Sequence, residues 1–395
     1  MTSHTLPNLS EDLHENFGTG GEDPYQSLRF LGHGGGGSVD EVVRKGDPTG
    51  ERYARKQVIL RWGSGNQEKI NQLREEARII RQLHHRHVIK LIGTYTWATS
   101  FGIVMDPVAE TDLQQFLSYV DSMEDGYQRN HARERLYSWT GCLIQGLDYL
   151  HEMRVKHRDI KPSNILIKRD IVYFTDFGIS RIISEGFTTG TDGTFGPMTR
   201  AYIAPEALID DTRRGRAIDI FSLGCVLLEM GTVLVGFPGS LEKFRRFRVE
   251  KTGTFYYAEN SLSILQWIWY LWGLWSDFVK STPSSQDRYA QHGSALLDLA
   301  FLMLDPNPGH RITSRQLVAL ISASGLYYSF SVSRVFCDGC RISLEFENHD
   351  IALHSMFKKR DDQEYPKPPE QALLESVAPS WEAAKRKWLK YHMWW

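Results

Sequence analysis

The chain has 395 residues, of which 24% are charged and 41% hydrophobic, and its formal net charge is −2. These are ordinary values for a soluble globular protein, and the near-neutral balance gives no bulk attraction to nucleic acid or membrane. At roughly 100–200 residues per domain the length admits two or three domains, or one bilobal unit with extensions, while four cysteines make no disulfide framework.

Taken in chain order, residues 1–24 are rich in Ser, Thr, Asn, Asp and Gly without periodicity, and are expected to form a flexible tail. They contain no apolar signal core, so the expected compartment is reducing and intracellular, cytoplasmic or nuclear. A strand-like stretch around Leu28 runs into a glycine-rich segment, Leu31 to Val39. Residues 67–83 read as a helix, because Ile70, Leu73, Ala77 and Ile80 fall on one face. Ile103–Met105 and Val172–Phe174 read as short buried strands. Beyond Pro205 the pattern turns helical, as in Ile220–Met230 and Ala295–Leu304. Cys142 and Cys225 lie in apolar stretches and are expected to pack as small hydrophobes.

The apolar run Leu262–Trp275 carries four tryptophans and is shorter than the roughly 20 residues a spanning helix needs, so no transmembrane segment is expected. A buried or groove-lining helix is expected there, in preference to a membrane-surface segment. The last segment, 325–395, holds Cys337-x-x-Cys340, then His349 and His354, a proline-rich hinge at Pro366–Pro369, and a basic aromatic terminus. The two cysteines and two histidines can ligate zinc tetrahedrally, or the C-x-x-C can be a metal-free turn. Trp381, Ala384, Trp388, Tyr391 and Trp395 share one helical face, flanked by Lys385, Arg386, Lys387 and Lys390. Such a helix docks on its own domain, or else binds an acidic partner or membrane surface.

The densest chemistry lies in His157-Arg158-Asp159-Ile160-Lys161-Pro162-Ser163-Asn164, with Asp176-Phe177-Gly178 seventeen residues after Asp159 and Ala204-Pro205-Glu206 further on. Phosphoryl transfer to a hydroxyl needs alignment, charge neutralisation and an acceptor for the hydroxyl proton. Asp159 suits the acceptor, Lys161 can neutralise phosphoryl oxygens, and Asn164 and Asp176 offer the oxygen ligands that Mg²⁺ takes. Upstream, Gly32-His33-Gly34-Gly35-Gly36-Gly37-Ser38-Val39 fits G-x-G-x-x-G-x-V, whose glycines let backbone N–H groups approach phosphates. Lys56 follows in Ala54-Arg55-Lys56. Its anionic partner is sought on the 67–83 helix, where Glu76 lies beside the apolar face and Glu75 projects away from it. The alternative is that both are solvated surface charges.

These motifs, in this order, resemble the eukaryotic-type serine/threonine protein kinase family over about residues 25–324. The resemblance implies an α+β, two-lobed protein kinase fold: a small β-rich N-lobe with one main helix and a larger, mainly helical C-lobe. It implies ATP and Mg²⁺ as cofactors and a protein substrate, with no nucleic acid expected. By the same resemblance Leu31, Gly32, Gly34, Gly37, Val39, Ala54, Lys56, Glu76, Asp106, Val108, Asp112, Asn164, Leu166 and Asp176 are nucleotide-site residues. Asp106 and Val108 would offer hinge backbone groups to adenine, Asp112 would meet the ribose, and Val39, Ala54 and Leu166 would enclose the base. Asp159, Lys161 and Lys56 are the catalytic set, and Asn164 and Asp176 the metal ligands.

Glu206 is expected to pair with Arg311, and Asp219 to brace the catalytic loop. Lys161 and Thr199 point to the serine/threonine group, although Met198-Thr199-Arg200 departs from the usual Gly-Thr start. Arg158 can bind a phosphate on the activation segment, where Thr188, Thr189, Thr191 and Thr194 are candidates. The rival reading is a pseudokinase, an ATP-binding scaffold, but the residues such chains usually lose are present here.

Overall fold

The structure is a computed structural model, and it describes residues 14–18, 21–34, 37–60, 66–177, 200–209, 215–281, 293–324, 337, 340 and 381–387. The described chain divides into two compact units, one of residues up to 84 together with 88–109, the other of residues 85–87, 110–177 and everything from 200 onward.

The first unit is a six-stranded sheet with one helix. Its strands are β1 (His14–Asn16), β2 (Tyr25–Gly34), β3 (Gly37–Arg44), β4 (Arg52–Ile59), β5 (Lys90–Trp97) and β6 (Ser100–Asp106), and helix α1 spans Asn66–Arg81. The spatial order is β1-β5-β6-β4-β3-β2. All neighbours are antiparallel except β1, which runs parallel to β5. Strand β1 places His14–Asn16, within the stretch expected to be a tail, in the sheet. The buried His14 ring stacks on Phe101 and bonds the hydroxyls of Thr94 and Thr96 at 3.0 and 3.2 Å. Polar composition concealed this strand because its side-chain partners lie some eighty residues away.

Alternation along β4 gives the sheet two faces. Tyr53, Arg55 and Gln57 point to one side, and Ala54, Lys56 and Val58, all buried, to the other. On the first side a core of Tyr25, Val42, Tyr95 and Val104 surrounds a buried ion pair. Arg55 donates to both carboxylate oxygens of Asp40 (3.0 and 2.6 Å), to Asp23 (2.6 Å) and to the Tyr95 hydroxyl (3.0 Å). Burial is the largest single influence and opposes the guanidinium charge, but Asp40 and Tyr95 together outweigh it and hold the Arg55 pKa above its ordinary value. Leu73, Ala77 and Ile80 of α1 are buried, as their spacing requires.

The second unit opens with a three-stranded sheet, β7 (Thr111–Asp112), β8 (Ile165–Lys168) and β9 (Ile171–Phe174), in the order β7-β8-β9. Helices α2 (Leu113–Ser122), α3 (Tyr127–Glu152), α4 (Pro205–Ile209), α5 (Arg216–Val235), α6 (Ser240–Thr252), α7 (Ser261–Ser281), α8 (Gly293–Met303) and α9 (Ser314–Ser324) make up most of the rest. A small β-rich unit and a larger helical one is the architecture the resemblance implied.

Helix α5 is apolar around its whole circumference and long enough to cross a membrane, but 89% of its most apolar stretch is buried inside the unit. It is therefore the central core helix. Two glycines one heptad apart let α8 come close. A Cβ on Gly224 would press on Met303 at 2.8 Å, and one on Gly231 would press on Leu296 and Leu297 at 2.8 and 2.9 Å.

The tryptophan-rich run lies in α7, with Trp267 and Trp272 buried and Trp269 and Trp275 half-buried, which agrees with a buried or groove-lining helix. Trp267 stacks on Phe244 (4.9 Å between centroids) and donates its indole N–H to Thr232 at 3.0 Å. Residues 381–387 also form a helix, and it docks on its own unit. Trp381 is buried and stacks on Phe301 at 5.3 Å, while Lys385 reaches Asp305 and the His310 carbonyl, each at 3.1 Å. Trp388, Lys390, Tyr391 and Trp395 lie outside the described residues.

Candidate active site

The catalytic loop is built from below by Asp219, in the first turn of α5. Its carboxylate accepts the backbone N–H of His157 (3.0 Å) and of Arg158 (2.8 Å), and the His151 ring lies 3.1 Å away. Two charge-assisted bonds to adjacent amides leave the loop one conformation. Arg158 takes a left-handed φ of 66°, costly for a residue with a Cβ, and the Asp219 clamp is what holds it there. Asp219 is thus a brace, as read from the sequence.

Beneath the loop the His157 ring packs against Phe174 and Phe177 (5.6 and 4.8 Å), and its Nδ1 receives the Asp159 N–H at 3.4 Å. Full burial keeps the imidazole pKa below its ordinary value.

Asp159, Lys161 and Asn164 converge. The Lys161 ammonium bonds both Asp159 carboxylate oxygens, at 3.1 and 3.0 Å. The Asn164 amide nitrogen donates to the Asp159 carbonyl and to its carboxylate, each at 2.8 Å. A short 3₁₀ turn, Pro162–Asn164, sets this geometry, with proline in its first position, where no N–H is needed. With its nitrogen committed to Asp159, Asn164 keeps its amide oxygen as an acceptor. The Thr175 N–H bonds the Asn164 carbonyl at 3.1 Å, which brings Asp176 beside this cluster, and Asp176 itself has a left-handed φ of 61°. A carboxylate and an amide oxygen are the hard donors Mg²⁺ takes, so the donor set fits that ion.

Asp112 and Leu166 are cross-strand partners in β7 and β8 and share one face of the small sheet. Asp112 has a second task that the sequence did not disclose. It caps α2, accepting the Gln115 N–H at 2.9 Å and the Gln115 side-chain amide at 2.8 Å. Burial raises its pKa, against those hydrogen bonds.

In the first unit Val39, Lys56 and Ile103 are register partners across β3, β4 and β6, and Ala54 pairs with Met105. Val39, Ala54 and Lys56 therefore occupy one face, with Asp106 ending β6 and Val108 buried just beyond it. Gly32 and Gly34 lie on β2 of the hairpin, and Leu31 between Phe30 and Gly32 sits at a register shift. Gly32 has a φ of 153°. Gly37 has a packing reason beyond phosphate approach, since a Cβ there would collide with the Gln57 carbonyl. Gly35 and Gly36, the side chains of Glu75 and Glu76, and residues 178–199, which include the four candidate threonines, Met198 and Thr199, lie outside the described residues.

Glu206 and Arg311 form the expected bidentate pair, at 2.6 and 3.1 Å, with Arg311 also over the Phe221 ring at 5.0 Å.

Residues 25–320 match the family described as protein kinase domain, three quarters of the chain, and the chain belongs to that family. Among curated proteins it is similar to mitogen-activated protein kinase kinase kinase 1 of Arabidopsis thaliana, 32% identical over 245 residues. It is also similar to mitogen-activated protein kinase kinase kinase A of Dictyostelium discoideum, 31% over 239 residues, and to the human serine/threonine-protein kinase Nek11, 26% over 327 residues. These alignments cover 61%, 59% and 82% of the chain, but only 37%, 24% and 44% of the respective relatives. The chain thus matches less than half the length of each. The family implies ATP as substrate and a general dependence on Mg²⁺.

Proposed function

We propose that this chain is an ATP- and Mg²⁺-dependent protein kinase that phosphorylates serine and threonine hydroxyls of protein substrates. The observation that carries the reading is the cluster at the catalytic loop, where Lys161 spans both oxygens of Asp159 and Asn164 pins that carboxylate from the other side. A carboxylate held this way points in one direction and can take the proton of an incoming hydroxyl, a contribution of about 10²–10⁴-fold. Lys161 would offset the charge that accumulates on the transferring group. Asn164 and Asp176 would hold Mg²⁺, which supplies charge neutralisation at the phosphates. Lys56, with Glu76 as its partner, would orient the phosphates, and the glycine hairpin would cover them. The adenine would meet Val39, Ala54 and Leu166 and the backbone of Asp106 and Val108, and the ribose would meet Asp112. Because the chain carries the lysine, the base and the metal carboxylate together, the reading of a bare scaffold has no observation in its favour.

The serine/threonine assignment has its own test. Purified protein is incubated with γ-labelled ATP, Mg²⁺ and a generic basic protein substrate, and the product is hydrolysed to phosphoamino acids. Phosphoserine and phosphothreonine are expected. Label confined to phosphotyrosine would overturn the assignment.

A further inference from the structure

We propose that His87, Cys142, Cys337 and Cys340 form a structural zinc site that fastens the C-terminal extension to the helical unit. The one nitrogen and three sulfurs all lie within 4.8 Å of one another. Tetrahedral zinc with ordinary Zn–S and Zn–N bonds sets such atoms about 3.5–3.8 Å apart, so closure around the ion needs only a small contraction. Two separations are already that short or shorter, with His87 Nε2 3.0 Å from the Cys340 sulfur and 3.4 Å from the Cys337 sulfur.

The surroundings are those of a ligand set, beyond what packing alone would produce. His87 Nδ1 lies 2.8 Å from the Val172 carbonyl, which only accepts, so Nδ1 carries the proton. The bare lone pair of Nε2 then faces the sulfurs, the arrangement found around metal-bound histidine. The Cys337 N–H points to the Cys142 sulfur at 3.2 Å, and the Arg86 guanidinium bonds the Cys337 sulfur at 3.3 Å. Three thiolates and one divalent ion leave a charge of −1, which Arg86 offsets. Helix α3 contributes as well: Gly146 is one helical turn from Cys142, and a Cβ there would crowd His87 at 3.2 Å, so the glycine lets the histidine segment reach the helix. His87, Cys142 and Cys340 are buried, none of the four cysteines is in a disulfide, and a soft, closed four-ligand set selects zinc and leaves no position for substrate.

Cys142 is buried as its apolar stretch led one to expect, and the proposal gives it a second role and draws the partners of the C-x-x-C from the kinase domain. His349 and His354, the partners read from spacing, lie outside the described residues.

The test uses the full chain expressed with zinc. Elemental analysis should find a single zinc per chain. Cobalt exchanged into the site should give the tetrahedral spectrum of three thiolates. Cys142→Ser and His87→Ala should each lose most of the metal, and the double variant His349→Ala, His354→Ala should keep it. Wild-type protein that holds no zinc after incubation with the metal would overturn the proposal. So would a two-thiolate cobalt spectrum, or metal lost only from the His349, His354 variant. The wild-type measurements decide even if a ligand variant does not fold.

Discussion

At the scale of single residues, the candidate site consists of small groups with more than one obligation. Asp219 orders two amides and a histidine, Asn164 holds the base and offers an oxygen, and Asp112 caps a helix on the face it shares with Leu166. Their chemistry was legible in the sequence because type and spacing carry it. Their second duties were not, since a cap or a clamp depends on which backbone amide lies nearby. The buried Arg55–Asp40 pair was missed for the same reason: two charged residues fifteen apart signal nothing until β3 and β4 are in register.

His157 makes a pH prediction. Its folded pKa lies below the 6.5 of an unfolded histidine, because the ring is buried. The unfolded chain therefore binds a proton that the folded chain resists. This contribution to stability is complete above pH 6.5 and is lost as the pH falls below it, with a slope of at most about 1.4 kcal/mol per pH unit. Denaturant unfolding on either side of pH 6.5 should show a steeper acid loss for wild type than for His157→Phe, which keeps an aromatic ring under the loop. Equal slopes would show that the ring protonates freely.

Elements divide into those that periodicity reveals and those that need a distant partner. Helices α1, α5, α7 and α8 were visible because each shows a continuous apolar face or core over several turns. Strand β1 was hidden, being three residues long with no apolar alternation of its own. The helix at 381–387 was visible as an amphipathic face, but its target was not. The structure answers with Phe301 for Trp381 and Asp305 for Lys385. Removing a buried indole leaves a cavity, so Trp381→Ala should destabilise the protein by about 3–5 kcal/mol in chemical unfolding. A loss under about 1 kcal/mol would mean that this helix is not docked in solution.

For the whole molecule, the division into a sheet-rich and a helical unit follows from where strand-length and helix-length patterns fall along the chain. The extension was the least legible part. Cys142 and Cys337 are 195 residues apart, and His87 and Cys340 253, so no local spacing could have joined them. The central claim is that the catalytic loop transfers phosphate. Wild type and Asp159→Ala, each shown by nucleotide binding to be folded and ATP-competent, should be compared for phosphate transfer from ATP with Mg²⁺ to a protein substrate. The expected result is transfer by wild type and a loss of about 10²-fold or more in the variant, with ATP still bound. Equal transfer by both, or none by wild type that binds ATP, would contradict it.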